Sequence, residues 1–393
     1  MIPSRIRVNL GSRDATLNWI FITGAYPPDR GGLADYTAVL AQELVRQGDR
    51  VTVVTGPLET APAADGVRLL TLSDHFGRRG LAELDSFLAT VPTPRRMFVQ
   101  YVPQAFGPRR SSRFKGLPLT FAWWLRQQVG FPVWTMLHEA KVTAPPGSNL
   151  SRKFLSQVTG HMLRWTVSAS ERIFVAMRAW QPIVEDYLSP VQGVEYLPIP
   201  SNVVTTVDES ARQQTRALLL NGHAKNIVGH FGTFSSEVAD LMEPLVRRSL
   251  IEHPDRQILL VGDGSQEFAG RLPDAGGALV TATGRLESDA VARHLSACDL
   301  MIQPFPDGAS TRRGSIMAGL ALGVPVASNW GQASEPIWEE QRALAMAPNP
   351  ESLPAVIDDL LARPEECAAL GQRGRLLYQR QFSLTHTVRV LRA

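Results

Sequence analysis

The chain has 393 residues, 44% of them hydrophobic and 20% charged, with a formal net charge of +3. This is an ordinary globular composition with material for two to three domains, which excludes a disordered or low-complexity chain. No basic run exceeds two residues and no window of about 18 apolar residues occurs, so neither a nucleic-acid footprint nor a membrane-spanning helix is expected.

The bases are nearly all arginine; the lysines are Lys115, Lys141, Lys153 and Lys225. Two cysteines, Cys298 and Cys367, make neither a disulfide framework nor a metal pair. A reducing, cytoplasmic location follows as the expectation, and the first residues, MIPSRIRVNLGSRDATLN, lack the apolar core of a signal peptide.

In chain order, WIFITG predicts a strand closed by glycine. LADYTAVLAQELVRQG predicts a helix with Leu33, Tyr36, Leu40 and Leu44 on one face and Gly48 as its stop. RVTVVTG and RMFVQYV predict the next strands. GLPLTFAWWLRQQVGFPVWTML reads as a buried helix followed by a core strand, with a membrane-surface face as the other reading. RIFVAM and VEYLPIP close the first group of strands. The polar stretch 203–225 reads as the boundary, after which NIVGHFG, QILLVGDG, ALVTATG, LMIQPF and VPVAS predict a second group. Apolar strands alternating with helices predict an α/β fold of two doubly wound, Rossmann-like domains facing a cleft. The expected divisions are 1–205, 206–375, and a terminal helix, 376–393, returning to the first domain.

In such sheets ligands lie outside the carboxyl ends of the strands, so the loops there carry the candidates. In GAYPPDRGGLADY, Gly31 and Gly32 open a helix and would let backbone N–H groups approach an anion or a sugar. In VGHFGTFSSEVADL, Gly232 and Thr233 stand before the next helix, with His230 as an ambiguous neighbour. LHEAK places His138, a base or hydrogen-bonding group, and Glu139 after a core strand. VQYVPQAFGP offers Tyr101 and Gln104, read as projecting to the same rim toward a polar acceptor.

DGASTRRGSIMAGLALGVPVAS is the most unusual loop. Ser310 or Thr311 reads as the N-cap, with Ile316, Met317, Leu320 and Ala321 at helical spacing and Gly323 as the stop. Arg312 and Arg313 then fall in the first turn, where cations oppose the helix dipole. An anion bound there, touched by the two arginines and by Gly314 and Ser315, would resolve the conflict; pairing with Asp307 is the simpler alternative. No Asp-x-Asp pair and no His-x-x-x-His cluster is present, so no dedicated metal site is expected and the arginines would neutralise a departing diphosphate.

In their order and spacing, YPPDRGGLADYTAVLAQELVRQGDRVTVVT, LHE, YLPIPSNV, LLVGDGS, TGRLESDAVARHLSACDLMIQPF, RRGSIMAGLALGVPVAS and FSLTHTVRVL resemble a family 4 glycosyltransferase of GT-B architecture, a variant with an RRGS-type donor loop. The resemblance covers nearly the whole chain. It implies sugar transfer with retention from a nucleotide-diphosphate donor, UDP or GDP type, without a metal and with no other cofactor. It further implies that Gly31 and Gly32 lie near the donor phosphates, Arg285 near the nucleobase and Glu335 near the ribose or a helix start. Arg312, Arg313 and His138 become the catalytic candidates. Gly232, Thr233, Ser310, Thr311, Gly314 and Ser315 become donor contacts, and Tyr101, Gln104 and Glu139 acceptor contacts.

The expected partners are the donor and a small-molecule or glycan acceptor, with no nucleic acid and with peripheral membrane contact left open. Two departures stand out. The family's two glutamates, with seven residues between them before the G-x-P-V turn, fall on Ser310 and Ala318 when counted without gaps. Its arginine and lysine after the first strand of the second domain are replaced by GHFGTFSS. The alternatives are a sugar-nucleotide epimerase of the same fold, which needs paired carboxylates that are not evident here, and a non-catalytic nucleotide-sugar-binding homologue. A trehalose- or sucrose-phosphate type synthase would need further bases for a sugar phosphate.

Overall fold

A computed structural model of the chain describes residues 16–393 apart from 30, 61–65, 107–118, 129 and 273–278. The reading of the first residues as lacking a signal peptide therefore lies almost wholly outside the described residues. The chain divides into two compact units. One comprises Met1–Val175 with Trp180–Glu195, the other Ala176–Ala179 with Tyr196–Ala393.

The first unit's sheet contains β1 (Asn18–Thr23), β2 (Arg50–Thr55), β3 (Arg68–Thr71), β5 (Arg95–Tyr101), β6 (Val133–Leu137), β7 (Arg172–Val175) and β8 (Val194–Tyr196) in the order β3-β2-β1-β5-β6-β7-β8. β4 (Ser73–Phe76) packs on α2 (Arg78–Leu88) outside that order. The pairings from β3 through β7 are parallel. α1 (Gly32–Arg46), α3 (Leu119–Arg126), α4 (Leu150–Ala169) and α5 (Gln181–Glu185) complete this part of the chain. All five residues of β6 are buried, as expected of a parallel strand covered on both faces.

In the second unit, α6 (Glu209–Leu220) precedes β9 (Asn226–Phe231), α7 (Ser236–Glu252), β10 (Arg256–Val261), α8 (Ser265–Ala269), β11 (Val280–Ala282) and α9 (Ser288–Ser296). Then come β12 (Leu300–Gln303), α10 (Gly314–Leu322), β13 (Val326–Asn329), α11 (Ile337–Glu340) and β14 (Ala345–Ala347). α12 (Leu353–Leu361), α13 (Pro364–Leu377) and α14 (Leu384–Arg392) end the chain. The sheet order is β11-β10-β9-β12-β13-β14, again parallel.

The core of this unit explains where α10 stands. Ile316, Met317 and Leu320 of α10 are buried against a cluster that includes Met301, Trp338 and Phe382. Each such side chain contributes about 1.5–3 kcal/mol by leaving water. α10 is apolar all round, with six consecutive buried residues from Ile316 to Ala321, and so is a core helix whose only free end is its N-terminus. Gly323 ends it in the left-handed region, φ 73°, as its stop signal predicts. No helix among the described residues is long and apolar enough to cross a membrane.

Candidate functional site

Strand order locates the candidate edge in each unit. In the second sheet the chain runs outward from β9 through β10 to β11, then jumps to β12 and runs the other way. The reversal opens a crevice at the carboxyl ends of β9 and β12. In the first sheet the same reversal falls between β1 and β5.

The loop after β12 is pinned from several sides. The Asn329 side chain accepts from the Phe305 N–H at 2.9 Å and donates to the Phe305 carbonyl at 2.9 Å. Gly308, φ 87°, lies against Gly331 so closely that a Cβ at 308 would stand 2.4 Å from the Gly331 nitrogen. Trp338 donates from Nε1 to the Ala309 carbonyl at 3.0 Å. Glu335 is 2% exposed, and its two oxygens accept from the backbone N–H groups of Thr311 at 2.6 Å and Arg178 at 2.9 Å. The Thr311 hydroxyl donates to the Ala176 carbonyl at 2.8 Å.

These bonds correct the expected helix start. Ser310 and Thr311 are fully buried, so neither caps the helix; the N-cap is Arg313, and Arg312 stands before it rather than in the first turn. The hydroxyl-rich sequence is absorbed by packing, and tertiary contacts outweigh cap preference. Glu335, expected near the ribose or a helix start, accepts from the loop that leads into α10. Thr311 likewise has its hydroxyl committed internally, while Ser310 Oγ is buried without a hydrogen-bond partner among the described residues.

The arginines are on display at the end of that rigid loop. Arg312 Nη2 pairs with Asp307 Oδ2 at 3.0 Å, and Arg313 Nη2 pairs with Asp307 Oδ1. The Arg313 guanidinium also lies over the Phe305 ring, 4.3 Å from its centre. Burial, with the neighbouring Arg312 charge, pulls the Arg313 pKa below its ordinary value, and Asp307 opposes the shift. Nε of each arginine is buried without a partner among the described residues. One carboxylate, Asp307, therefore pairs with two guanidinium groups, and the Glu237 carboxylate acts on Arg313 from further off. The two arginines stand beside an α10 N-terminus that no side chain caps, with Gly314 exposed and open space around its Cα.

The loop after β9 presents a second uncapped helix end. Gly232, φ 155°, donates to the Val261 carbonyl at 3.1 Å, and a Cβ on Gly262 would meet the Gly232 oxygen at 2.0 Å. The contact needs glycine at 262, and a Cβ on Gly264 would stand 3.3 Å from the Phe234 Cβ, which gives Gly262-x-Gly264 a packing role. Thr233 is exposed, and Ser235, the α7 N-cap, makes no side-chain capping bond. His230 is 2% exposed; Nδ1 donates to the Ile302 carbonyl at 2.9 Å, and Nε2 has no partner among the described residues. Burial lowers its pKa to about 4, so at neutral pH Nε2 is an unprotonated acceptor. Beside it in the sheet, Gln303 is fully buried with neither amide atom partnered among the described residues. Orphaned buried polar groups are rare and call for an occupant.

In the first unit, His138 follows β6, where its N–H donates to the Tyr101 carbonyl at 3.0 Å. Its Nε2 bonds Gln100 Oε1 at 2.6 Å, with the nitrogen donating, and its ring meets Tyr36 edge-on at 5.3 Å. Burial lowers its pKa to about 3, so it is a neutral hydrogen-bonding group rather than a strong base. Gly31, φ 137°, and Gly32 are exposed at the start of α1, with open space around both and no side-chain cap. Gln104 and Glu139 are exposed. Tyr101 departs from expectation: it is fully buried against Phe106 and does not project to the rim, because the last residue of β5 still faces the aromatic core. The sequence reading passed over Gln100 and took Tyr36 only as part of a helix face; the signal for Gln100 was a lone amide after the apolar run Met97–Val99 of β5.

Both neutral histidines make stability fall with acid. In each the folded pKa lies below the unfolded value near 6.5, so the unfolded chain binds more protons between about pH 6 and 4. Each group then lowers stability by up to about 1.4 kcal/mol per pH unit as pH drops through that window. His230→Asn is expected to flatten the slope of melting temperature against pH from 6 to 4, measured by calorimetry; an unchanged slope would remove His230 from the account.

Arg285 is exposed after β11, and the loop carrying it is anchored by a bond from the Gly284 N–H to the Ser265 hydroxyl at 2.9 Å. The described side chains close enough to share a cation are Glu252, His253 and Asp358, at the other end of α7. There Arg248 already pairs with Glu252 at 2.7 Å and Arg256 with Asp358 at 2.8 Å. Cys298 and Cys367 are both buried and free.

No protein-family model matches the chain, and no curated protein sequence matches it. Solved structures do. Sucrose-phosphate synthase from Thermosynechococcus elongatus superposes with a TM-score of 0.71 at 17% identity, covering 96% of this chain and 98% of that one. WaaG, a glycosyltransferase of lipopolysaccharide biosynthesis, gives 0.65 at 15%, covering 95% and 98%. Anabaena HepE, solved with UDP-glucose, gives 0.63 at 16%, covering 95% and 98%. At such identities the likeness is one of fold: the α/β architecture of two doubly wound units expected from the sequence is the GT-B architecture these structures share.

Proposed function

We propose that the chain is a glycosyltransferase that moves a sugar from a nucleotide-diphosphate donor, UDP or GDP type, to an acceptor hydroxyl with retention of configuration. The observation that carries this reading is the β9–β12 edge of the second sheet. Two uncapped helix ends, α7 and α10, flank it, and two guanidinium groups share a single carboxylate there. Helix N-termini and arginine forks both suit phosphate oxygens. The fold shared with HepE, which binds UDP-glucose, supports the same donor class.

In this reading the donor diphosphate meets Arg312, Arg313, and the N–H groups of Gly314 and Ser315. Gly232 and Thr233 lie on its other side, and Arg285 approaches the base. Ser310, Thr311 and Glu335 act through loop rigidity instead of by contact. The acceptor oxygen attacks the anomeric carbon on the face from which the diphosphate departs, and a departing phosphate oxygen takes the proton. Charge developing on the diphosphate is met by fixed guanidinium and helix dipoles, with no metal required. His138, neutral and oriented by Gln100, accepts one hydrogen bond from a sugar hydroxyl at Nδ1, while Gln104, Glu139, Gly31 and Gly32 supply further polar contacts.

Incubating the protein with a panel of UDP- and GDP-sugars, with and without EDTA, and following nucleotide release tests the assignment. Release from one donor, undiminished by EDTA, is the expected result; no release from any of them contradicts it. Asp307 gives a sharper check. It competes with a diphosphate for the same guanidinium groups, so Asp307→Asn is expected to tighten UDP binding several-fold, on the scale of a lost charge-assisted partner. Unchanged affinity in calorimetry would place the diphosphate elsewhere. The capture of both arginines by Asp307 also favours a second reading, a nucleotide-sugar-binding homologue, which binds UDP but releases nothing from any donor.

A further inference from the structure

We infer that the outer face of α3 and α4 docks the protein on a bilayer bearing anionic phospholipid headgroups, an inference independent of the activity proposed above. The two helices pack along each other through Ala122, Val158 and Met162, with Leu119 and Trp165 against them. Beside that seam, Trp123 is 56% exposed, Phe154 53% and Leu150 84%. Trp123 and Phe154 are the large aromatic side chains left exposed among the described residues. On α4, Leu150, Phe154, Gln157, His161 and Arg164 recur at helical spacing on one exposed or partly exposed face. The apolar stretch singled out in the sequence is thus a buried helix and core strand only in part: its helix keeps an apolar outer side.

Charge identifies what covers that side. From Ser86 to Ser170 the sequence carries eleven arginines and lysines against one acid, Glu139; in the rest of the chain acids outnumber bases, 36 to 29. The asymmetry escapes a search for basic runs because it consists of missing acids. The four bases at 109–115 lie outside the described residues and are counted for charge alone, as are Arg95 and Arg96 of β5, which lie over the Phe131 and Trp134 rings; Arg126, Arg152, Lys153 and Arg164 are the bases on α3 and α4.

α3 and α4 contain no aspartate or glutamate. Arg152 and Lys153 occupy the first turn of α4, where the helix dipole disfavours cations, although Asn149 caps that end properly by accepting from the Arg152 N–H at 2.9 Å. Arg152 also donates from Nε to the Thr143 carbonyl at 2.9 Å, and Lys153 is exposed. The acid against α3 is Asp85 of α2, which accepts from Trp124 Nε1 at 2.9 Å and from the Gln128 amide at 3.2 Å. A tryptophan, a phenylalanine and a leucine on two helices that themselves carry bases and no acid match an interface where ring and methylene groups enter the headgroup layer and cations meet phosphate. The same uniform charge opposes pairing of this face with a second copy of itself.

The test is co-sedimentation of the full chain with vesicles of phosphatidylcholine alone and with about one-third phosphatidylglycerol, at low and high salt. The bound fraction is expected to rise on the order of tenfold with the anionic lipid and to fall with salt. A triple variant, Trp123→Ser, Leu150→Ser, Phe154→Ser, is expected to lose most of that binding while keeping its melting temperature and its response to UDP. Equal binding to both vesicle types, no binding, or undiminished binding by the triple variant would overturn the inference. So would light scattering showing a wild-type dimer that the triple variant dissolves.

Discussion

Replacing Arg312 and Arg313 together by alanine is expected to lower kcat/KM for the donor by about 10²–10⁴, the equivalent of two charge-assisted contacts at about 1.5–3 kcal/mol each. The effect should appear in kcat as well as in donor binding, because the charge these groups meet grows as the diphosphate departs. The fold should survive. Both side chains sit at the mouth of the loop, a quarter to a third exposed, and the loop is held by Asn329, Trp338 and Glu335 rather than by the arginines. A double lysine replacement keeps the charge and loses the fork, so it should recover only part of the activity. Steady-state kinetics on the three proteins, with melting curves beside them, separates a site effect from a folding effect. Wild-type turnover by the double alanine variant would remove the arginines from the reaction.

Glu335→Ala is expected to have the largest effect on stability. The carboxylate is almost fully buried and is the partner of two backbone N–H groups, those of Thr311 and Arg178. Alanine leaves both donors without that partner and opens space behind the loop. At about 1–3 kcal/mol for each buried group left unsatisfied, the loss is about 3–5 kcal/mol. In a unit of this size that corresponds to roughly 10 °C in melting temperature. Glu335→Gln keeps one acceptor oxygen and should cost less than half as much. The alanine variant should also bind UDP more weakly, since Thr311 lies just before Arg312 and anchors it. Calorimetric melting of the three proteins checks the order; a melting temperature unchanged in the alanine variant would show that the loop is held without Glu335.

Most strands were legible because they carry an apolar run, as β6 does and as Ile258–Val261 of β10 does, and a parallel sheet covered on both faces demands that pattern. β3 and β14 were not, since edge strands with mostly half-exposed residues carry no such run. The start of α10 was misplaced for a different reason. Ser310 and Thr311 look like caps, but nothing local says that they are fully buried and that a glutamate 24 residues later takes the Thr311 N–H. Tyr101 misled in the same manner: its place at a strand end suggested a rim, while its ring belongs to the cluster with Phe106. The pairing of Arg312 and Arg313 with Asp307 was visible as an alternative because the three residues are neighbours in sequence. The bonds of His138 to Gln100 and of His230 to the Ile302 carbonyl cross between strands, and no spacing rule reports them.

The most direct measurement is a calorimetric titration of the protein and of its Arg312→Ala, Arg313→Ala variant with UDP and with uridine. A diphosphate held by these two side chains predicts that the variant loses on the order of a hundredfold in UDP affinity and leaves the weak binding of uridine as it was. Equal UDP affinity in the two proteins, or an equal loss for uridine, would contradict it.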